Sequence, residues 1–512
     1  MTNLENTDMD MNNSPDRNTY KAETSRQRAR SIIREFSLNT STHGIPGIAR
    51  SQTVTNRIFW TISTIIFAGV MTYFITESIL NFFQYPTQVS IGVVDNPTQN
   101  FPAVSICNYS PFRYDLFMDD FLNYTNTSNI TYSANSTLAE RKVMQIQEFV
   151  RYKLNRNESV TEYSFTLDNL LIKCTFNNLE CTKEDFISFS NALYGNCYTF
   201  NAKSPYIRNG SLYHLAENGV WGILQLDFYV HSNQYVPYWS SGVGMIVQIH
   251  DNDQIPTMRW KGQYLIPGRL HRMVYTKTIQ THLPAPYSDC STEVPYALQV
   301  AFNHFSNGSY AYEQFICATV CIQAYVYKMC GCIDPTEWTA RYIAVPGTDK
   351  VIIAPVCNEN DTCYRKELDL INNNYDLWIE NCPTCPSECN TVEFTAKLSS
   401  LLAPSPWLLD DLKTKVEALG VHLPTNWSTT WQSDLSQNYV GLEVVSETTR
   451  AQTLIESASI SPVDLLSNVG GQTGLWIGIS FLSLMEIAEM IYRLIRSKVY
   501  QLLNRDQQSS SA

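Results

Sequence analysis

All fourteen cysteines of this 512-residue chain fall between Cys107 and Cys389, and two apolar stretches bracket that interval. The first, residues 58–80, runs 23 residues with one ionisable group, Glu77. About 20 apolar residues suffice to cross a bilayer, so this stretch is long enough to span one. The second, residues 469–495, is apolar but carries four glycines, Gln472, Glu486, Glu489 and Arg493. Residues 1–57 hold eight Lys or Arg against six acids, and the tail from Arg493 holds four against one. Short flanks rich in Lys and Arg stay cytosolic. Both termini are therefore expected inside the cell, with 81–462 outside. The polar first 57 residues and the length of the first apolar run argue against a cleavable signal peptide.

Two independent features agree with that topology. Disulfides persist in oxidising compartments, and every cysteine lies in the proposed outer region. So do the sequons at Asn123, Asn126, Asn129, Asn135, Asn157, Asn209, Asn307, Asn360 and Asn426, all candidate glycosylation sites. Net charge divides the same way: −12 overall, +5 for the two cytosolic ends and −17 for residues 58–492. A chain this acidic is not a nucleic-acid binder relying on a basic surface.

Apolar, β-branched runs predict strands at 103–106, 223–230, 245–249 and 273–279. Residues 136–154 read as an amphipathic helix with Ser136 or Thr137 as its cap. Residues 315–328 read as another helix, with Cys317 and Cys321 four apart on one face. Strands and helices alternate without βαβ regularity, so the outer region is expected to be α+β. Cys382-x2-Cys385 with Cys330-x-Cys332 imitates zinc-ligand spacing, but outside a cell disulfides are favoured, and no metal or other cofactor is expected.

Five stretches in order resemble the degenerin/epithelial sodium channel superfamily, which includes acid-sensing and peptide-gated channels. His43-Gly44 is similar to the family's gating motif. Phe101-Pro102-Ala103-Val104-Ser105-Ile106-Cys107-Asn108 is similar to the strand opening its palm. Leu283-Pro284-Ala285-Pro286-Tyr287-Ser288-Asp289-Cys290 resembles the approach to its thumb, and Cys317 to Cys332 has the thumb spacing of acid-sensing members. Residues 465–480 resemble its pore helix and Gly-x-Ser filter. The resemblance spans His43 to Arg496.

It implies a homotrimer, or a heterotrimer with relatives, in the plasma membrane around a sodium-selective pore. Above the pore it implies a hand-like outer domain of palm, thumb, finger, knuckle and β-ball. It also implies the disulfides Cys107–Cys197, Cys174–Cys181, Cys290–Cys389, Cys317–Cys385, Cys321–Cys382, Cys330–Cys363 and Cys332–Cys357. Gly478, Ile479 and Ser480 would form the filter, Gly474 would contact amiloride-type blockers, and Ser467 would hold the degenerin position. His43, Gly44, Tyr85 and Tyr287 would serve gating.

Residue chemistry supports a pore. Ionisable groups within a membrane usually face a partner or a water-filled path. Glu486 and Glu489, three apart, share a helical face and would form acidic rings in a symmetric trimer. Packing of Gly471, Gly474 and Gly478 against another helix is the competing role for the glycines.

The gating stimulus is read from two places. Tyr85-Pro86 is followed by Thr87, where acid-sensing members carry a histidine. The His43 segment and first helix resemble invertebrate channels opened by amidated neuropeptides of the Phe-Met-Arg-Phe-amide type. Phe112, Tyr114, Phe117, Asp119, Asp120 and Phe121 offer aromatic and acidic groups for such a peptide. Proton gating is the alternative within the superfamily. A non-conducting two-pass adhesion or receptor protein is the alternative outside it, and would have no use for a Gly-x-Ser filter and paired intramembrane glutamates. An enzyme is disfavoured by the lack of a nucleophile elbow, His-Glu-x-x-His or phosphate loop. The expected division is a cytosolic 1–57, a first span at 58–80, an outer domain at 81–462, a second span with the pore at 463–495, and a cytosolic tail at 496–512.

Overall fold

The computed structural model describes residues 25–95, 99–128, 137–215, 222–306, 308–345, 348 and 350–509. The chain divides into two compact units, Gln88–Ser457 and the two ends that flank it, Met1–Thr87 with Ala458–Ala512.

The Gln88–Ser457 unit is built on a seven-stranded sheet and a five-stranded sheet. In the larger, Arg269–Thr281 pairs antiparallel with Asn390–Leu402 and parallel with Tyr439–Ala458. Ile223–Tyr229 and Leu171–Phe176 extend the sheet on the other side of Tyr439–Ala458. Parallel neighbours need a long crossover. Here that crossover contains the cysteine-rich helices. The smaller sheet has Ala103–Asn108 at its centre, between Gly195–Phe200 and Met245–His250. That central strand is buried at every position, which explains its unbroken run of small and β-branched residues. The principal core lies on these sheets, with Phe101, Phe200, Leu226, Phe228 and Tyr275 among its fully buried side chains.

Helix Leu138–Asn155 begins at Thr137, whose hydroxyl accepts from Glu140 N–H while the Glu140 carboxylate accepts from Thr137 N–H. This reciprocal capping decides between the two candidate caps. Helix Gln314–Cys330 carries Cys317 and Cys321 on one face, bonded to Cys385 and Cys382. The other disulfides are Cys107–Cys197, Cys174–Cys181, Cys290–Cys389, Cys330–Cys363 and Cys332–Cys357, the pairs that the resemblance implies. Cys382, Cys385, Cys330 and Cys332 thus sit in four different disulfides, so none is a thiolate available to zinc.

In the other unit, α1 (Ser25–Asn39), α2 (Ile45–Arg50) and α3 (Val54–Phe83) precede the sheets, and α4 (Pro462–Ile477) and α5 (Phe481–Ser509) follow them. Among the described residues, α3 alone is a single helix long and apolar enough to cross a bilayer. The second apolar stretch meets that standard only as the α4–α5 pair, bent by 71°.

Candidate pore segment

The bend has a local cause. Helix α4 opens with Ser461 as N-cap, Pro462 in its first turn and Asp464 completing a capping box. It ends at Gly478, whose φ of +70° is a left-handed conformation that costs a β-carbon residue roughly 1–2 kcal/mol. Gly478 N–H donates to Gly474 C=O at 3.1 Å, and Ile479 N–H donates to Thr473 C=O at 3.1 Å. The second bond, spanning six residues, reverses the chain out of the helix. Helix α5 restarts beyond Ser480, whose hydroxyl accepts from Ser483 N–H at 3.3 Å. Gly478, Ile479 and Ser480 are therefore a non-helical link, with Gly478 C=O held by the fully buried Ser483 hydroxyl at 3.3 Å.

The segment before α2 folds against this link. His43 N–H donates to Ile477 C=O at 2.7 Å, satisfying a carbonyl that the end of α4 leaves free. A β-carbon on Gly478 would lie 2.7 Å from His43 Cγ and Nδ1. Gly44 has a φ of +91°, and a β-carbon there would stand 2.2 Å from Thr64 Oγ1 on α3. The His-Gly pair thus joins the break to α3: His43 contributes backbone and ring at Gly478, and Gly44 permits the approach.

Glu486 is drawn into the same arrangement. Its Oε2 accepts from Ser41 N–H and Thr40 hydroxyl, both at 2.9 Å, and Ser41 Oγ lies 2.6 Å from Ser483 Oγ. Glu489 is separate: Arg493 bridges it and Glu35 of α1, each at 3.1 Å. The two acids share a helical face yet have different partners. Thr40, Ser41 and Ser483 were not anticipated, although a run of small hydroxyl residues just before His43 is the signal that marks such a docking strap. Gln472 accepts from Trp476 Nε1 at 2.7 Å, and Trp476 stacks on Phe67 and Phe74 of α3.

Among the described residues, none packs on one face of α4. Ser467, Gly471 and Gly474 are exposed, and a β-carbon on either glycine would meet no atom within 4 Å. Intramolecular helix packing therefore does not account for them. Tyr85 follows α3 beside Phe82 and Phe83. Tyr287 closes a turn in the other unit, its N–H donating to Pro284 C=O at 3.1 Å.

The proposed peptide contacts need correction. Phe112, Phe117 and Phe121 are buried, because Tyr114–Thr127 is a helix whose i, i+4 face packs into a core with Phe149 and Tyr163. Those rings offer no surface to a ligand. Asp120 accepts from Tyr163 at 2.5 Å and lies 3.7 Å from Lys153, and Tyr114, Asp119 and Asp120 are all exposed. Phe117→Ala is expected to cost about 3–5 kcal/mol through the cavity it leaves. Asp119→Asn should change stability by less than about 0.5 kcal/mol. Thermal melts of solubilised protein with surface labelling check this; normal stability of Phe117→Ala would refute the core assignment. Among the sequons, Asn123, Asn126, Asn157, Asn209, Asn360 and Asn426 are exposed, while Asn129, Asn135 and Asn307 lie outside the described residues.

Comparison with known proteins places this geometry. The family model described as amiloride-sensitive sodium channel matches residues 36–490, from α1 through the link at Gly478 to α5. The chain is 24% identical to acid-sensing ion channel 1C of Danio rerio, over 92% of this chain and 85% of that protein. It is 24% identical to acid-sensing ion channel 2 of Rattus norvegicus, over 94% and 90%. It is 25% identical to the epithelial sodium channel subunit gamma-2 of Xenopus laevis, over 92% and 82%. With the His-Gly strap, the broken second span and the seven disulfides all inside the matched residues, the chain belongs to the amiloride-sensitive sodium channel family.

Proposed function

We propose that this protein is a subunit of a trimeric, amiloride-sensitive sodium channel of the plasma membrane, opened by short amidated neuropeptides and not an enzyme. The observation that carries the pore is the break at Gly478, Ile479 and Ser480. It leaves non-helical backbone at mid-span, where irregular backbone is tolerated only if it lines a cavity or is buried in protein. In this reading three copies bring the exposed Ser467–Gly471–Gly474 faces of α4 together around the pore, and Gly474 contacts the blocker. Glu486 and Glu489 supply negative charge on the cytosolic side, which favours sodium over anions. The division at 1–57, 58–80, 81–462, 463–495 and 496–512 follows, with a hand-like outer domain and both termini cytosolic. Tyr85 and Tyr287 couple that domain to the spans.

Two of the eight histidines bear on peptide rather than proton gating. His231 and His250 are pushed down to about 4 by burial, so neither charges in the range of an acid step. One observation favours proton sensitivity instead: burial raises Glu313 to about 7, and two of the relatives named above are acid-sensing channels. Expression in voltage-clamped cells separates these readings. An amiloride-sensitive inward current to Phe-Met-Arg-Phe-amide, lost when external sodium is replaced by a large organic cation, is the expected result. Current to an acid step alone would move the protein to the proton-gated reading, and no current to either stimulus would refute both.

A further inference from the structure

Helix Met258–Lys261, the end of Tyr296–Phe305, the start of Gln314–Cys330 and the turn Pro335–Ala340 line a half-open cavity of about 100 Å3, bounded on one side by residues 190–193. Two aromatic rings stand on its wall instead of in a core. Trp260 is 64% exposed and Phe315 43%, and they meet edge to face at 6.2 Å. Concave sites lined by aromatic groups with a few polar ones are where ligands bind.

The charged residues on that wall are Arg259 and Glu337. Among the described residues the Glu337 carboxylate receives no hydrogen bond, and Arg259 Nη1 stands 3.6 Å away. The Arg259 guanidinium lies over Trp260, 5.1 Å from the ring centroid. The Glu337 side chain is one-third exposed, so a ligand guanidinium can take the place of the water that solvates it. A second cavity of about 350 Å3 shares Ser190, Phe305 and Thr339 with the first and runs on past Trp338 and the stacked rings of His304 and Tyr342.

We propose that these joined cavities hold the agonist peptide, its arginine guanidinium donating to Glu337 and a neighbouring aromatic side chain packing on Trp260 and Phe315. This rests on the peptide-gated reading above, and replaces the buried phenylalanines as the ligand contact. Charge complementarity selects the occupant: an acidic outer region, a part-exposed carboxylate and exposed rings match a cationic, aromatic peptide.

Protonation gives the site a signature. Burial, reinforced by Asp334 and opposed by Arg259, raises Glu337 to about 7. Among the described residues, the first cavity has no other acidic or histidine side chain on its wall, and the second adds Glu158, His304, Arg341 and Tyr342. Only the carboxylate form pairs with a guanidinium, so peptide potency is full above pH 7 and falls as pH drops through it.

The test uses the full-length channel in voltage-clamped cells, with Phe-Met-Arg-Phe-amide and its citrulline analogue, which keeps the shape and lacks the charge. Glu337→Gln and Trp260→Ala should each raise the half-maximal concentration at least tenfold at unchanged surface labelling. The citrulline analogue should lose potency on wild type and no more on Glu337→Gln. Potency should depend on pH between 6 and 8 in wild type and not in Glu337→Gln. If wild type responds and both variants keep its potency, this site is overturned while peptide gating stands. If wild type at the surface ignores the peptide, both are overturned.

Discussion

A Gly478→Val channel is expected to reach the cell surface and carry no agonist-evoked current. Valine must adopt a φ near +70°, which for a β-branched side chain costs more than the roughly 1–2 kcal/mol of an ordinary residue. The side chain would also begin 2.7 Å from the His43 ring, so the strap before α2 could not keep His43 N–H on Ile477 C=O. Losing that bond frees a carbonyl beside the filter link and releases Thr40 and Ser41 from Glu486. The fold of Gln88–Ser457 contains none of these contacts and should be unchanged. Gly69→Ala is the control. Its β-carbon meets nothing within 4 Å, and alanine favours a helix by about 0.5–1 kcal/mol. Surface labelling with whole-cell recording decides the matter: wild-type current in Gly478→Val would refute the role of the left-handed break.

The second large effect lies in the disulfides. Removing Cys321–Cys382 by serine at both positions is expected to destabilise the outer unit by about 4 kcal/mol, because the bridge closes 61 residues. Removing Cys174–Cys181, which closes seven, should cost about 2 kcal/mol. Context widens that difference. Helix Gln314–Cys330 holds three bridges along its length, and the small clusters around it, with Val326, Tyr364 and Ile371, cannot by themselves order it. Cys174 and Cys181 instead sit in the largest core, beside Leu224 and Leu226, which remains after the bridge is gone. Thermal melts of the solubilised channel should therefore rank Cys321→Ser/Cys382→Ser well below Cys174→Ser/Cys181→Ser. The reverse order would show that the cysteine-rich helices are held by packing.

Much of the outer unit is legible where one residue's neighbours decide its state. The runs at 103–106, 223–230, 245–249 and 273–279 lie in or overlap the strands Ala103–Asn108, Ile223–Tyr229, Met245–His250 and Arg269–Thr281. The 20-residue strand Tyr439–Ala458 escapes the pattern. Its Ser, Glu and Thr stretch after Val445 spans the region where pairing shifts register and charged residues reach solvent, so alternation is interrupted. Tyr114–Thr127 was misjudged for another reason. Phe117 and Phe121 at i, i+4 are a helix's buried face, but aromatic rings beside acids look the same in one dimension whether a core or a ligand takes them.

By itself the sequence determined the two apolar stretches, the basic ends, the confinement of every cysteine to the interval between the stretches, and four glycines in the second stretch that give its backbone freedom to break. Hydrophobicity, charge and backbone freedom are properties of a residue and its near neighbours, so they are present before folding. Only the tertiary structure decided which groups meet across hundreds of residues. It put Glu486 on Thr40 and Ser41, set Glu489 apart on Arg493, brought His43 against Gly478, and placed Arg259 between Glu337 and Trp260. A carboxylate is the same letter in each case; its role follows from the donors and the burial around it, and those exist only once the chain has closed.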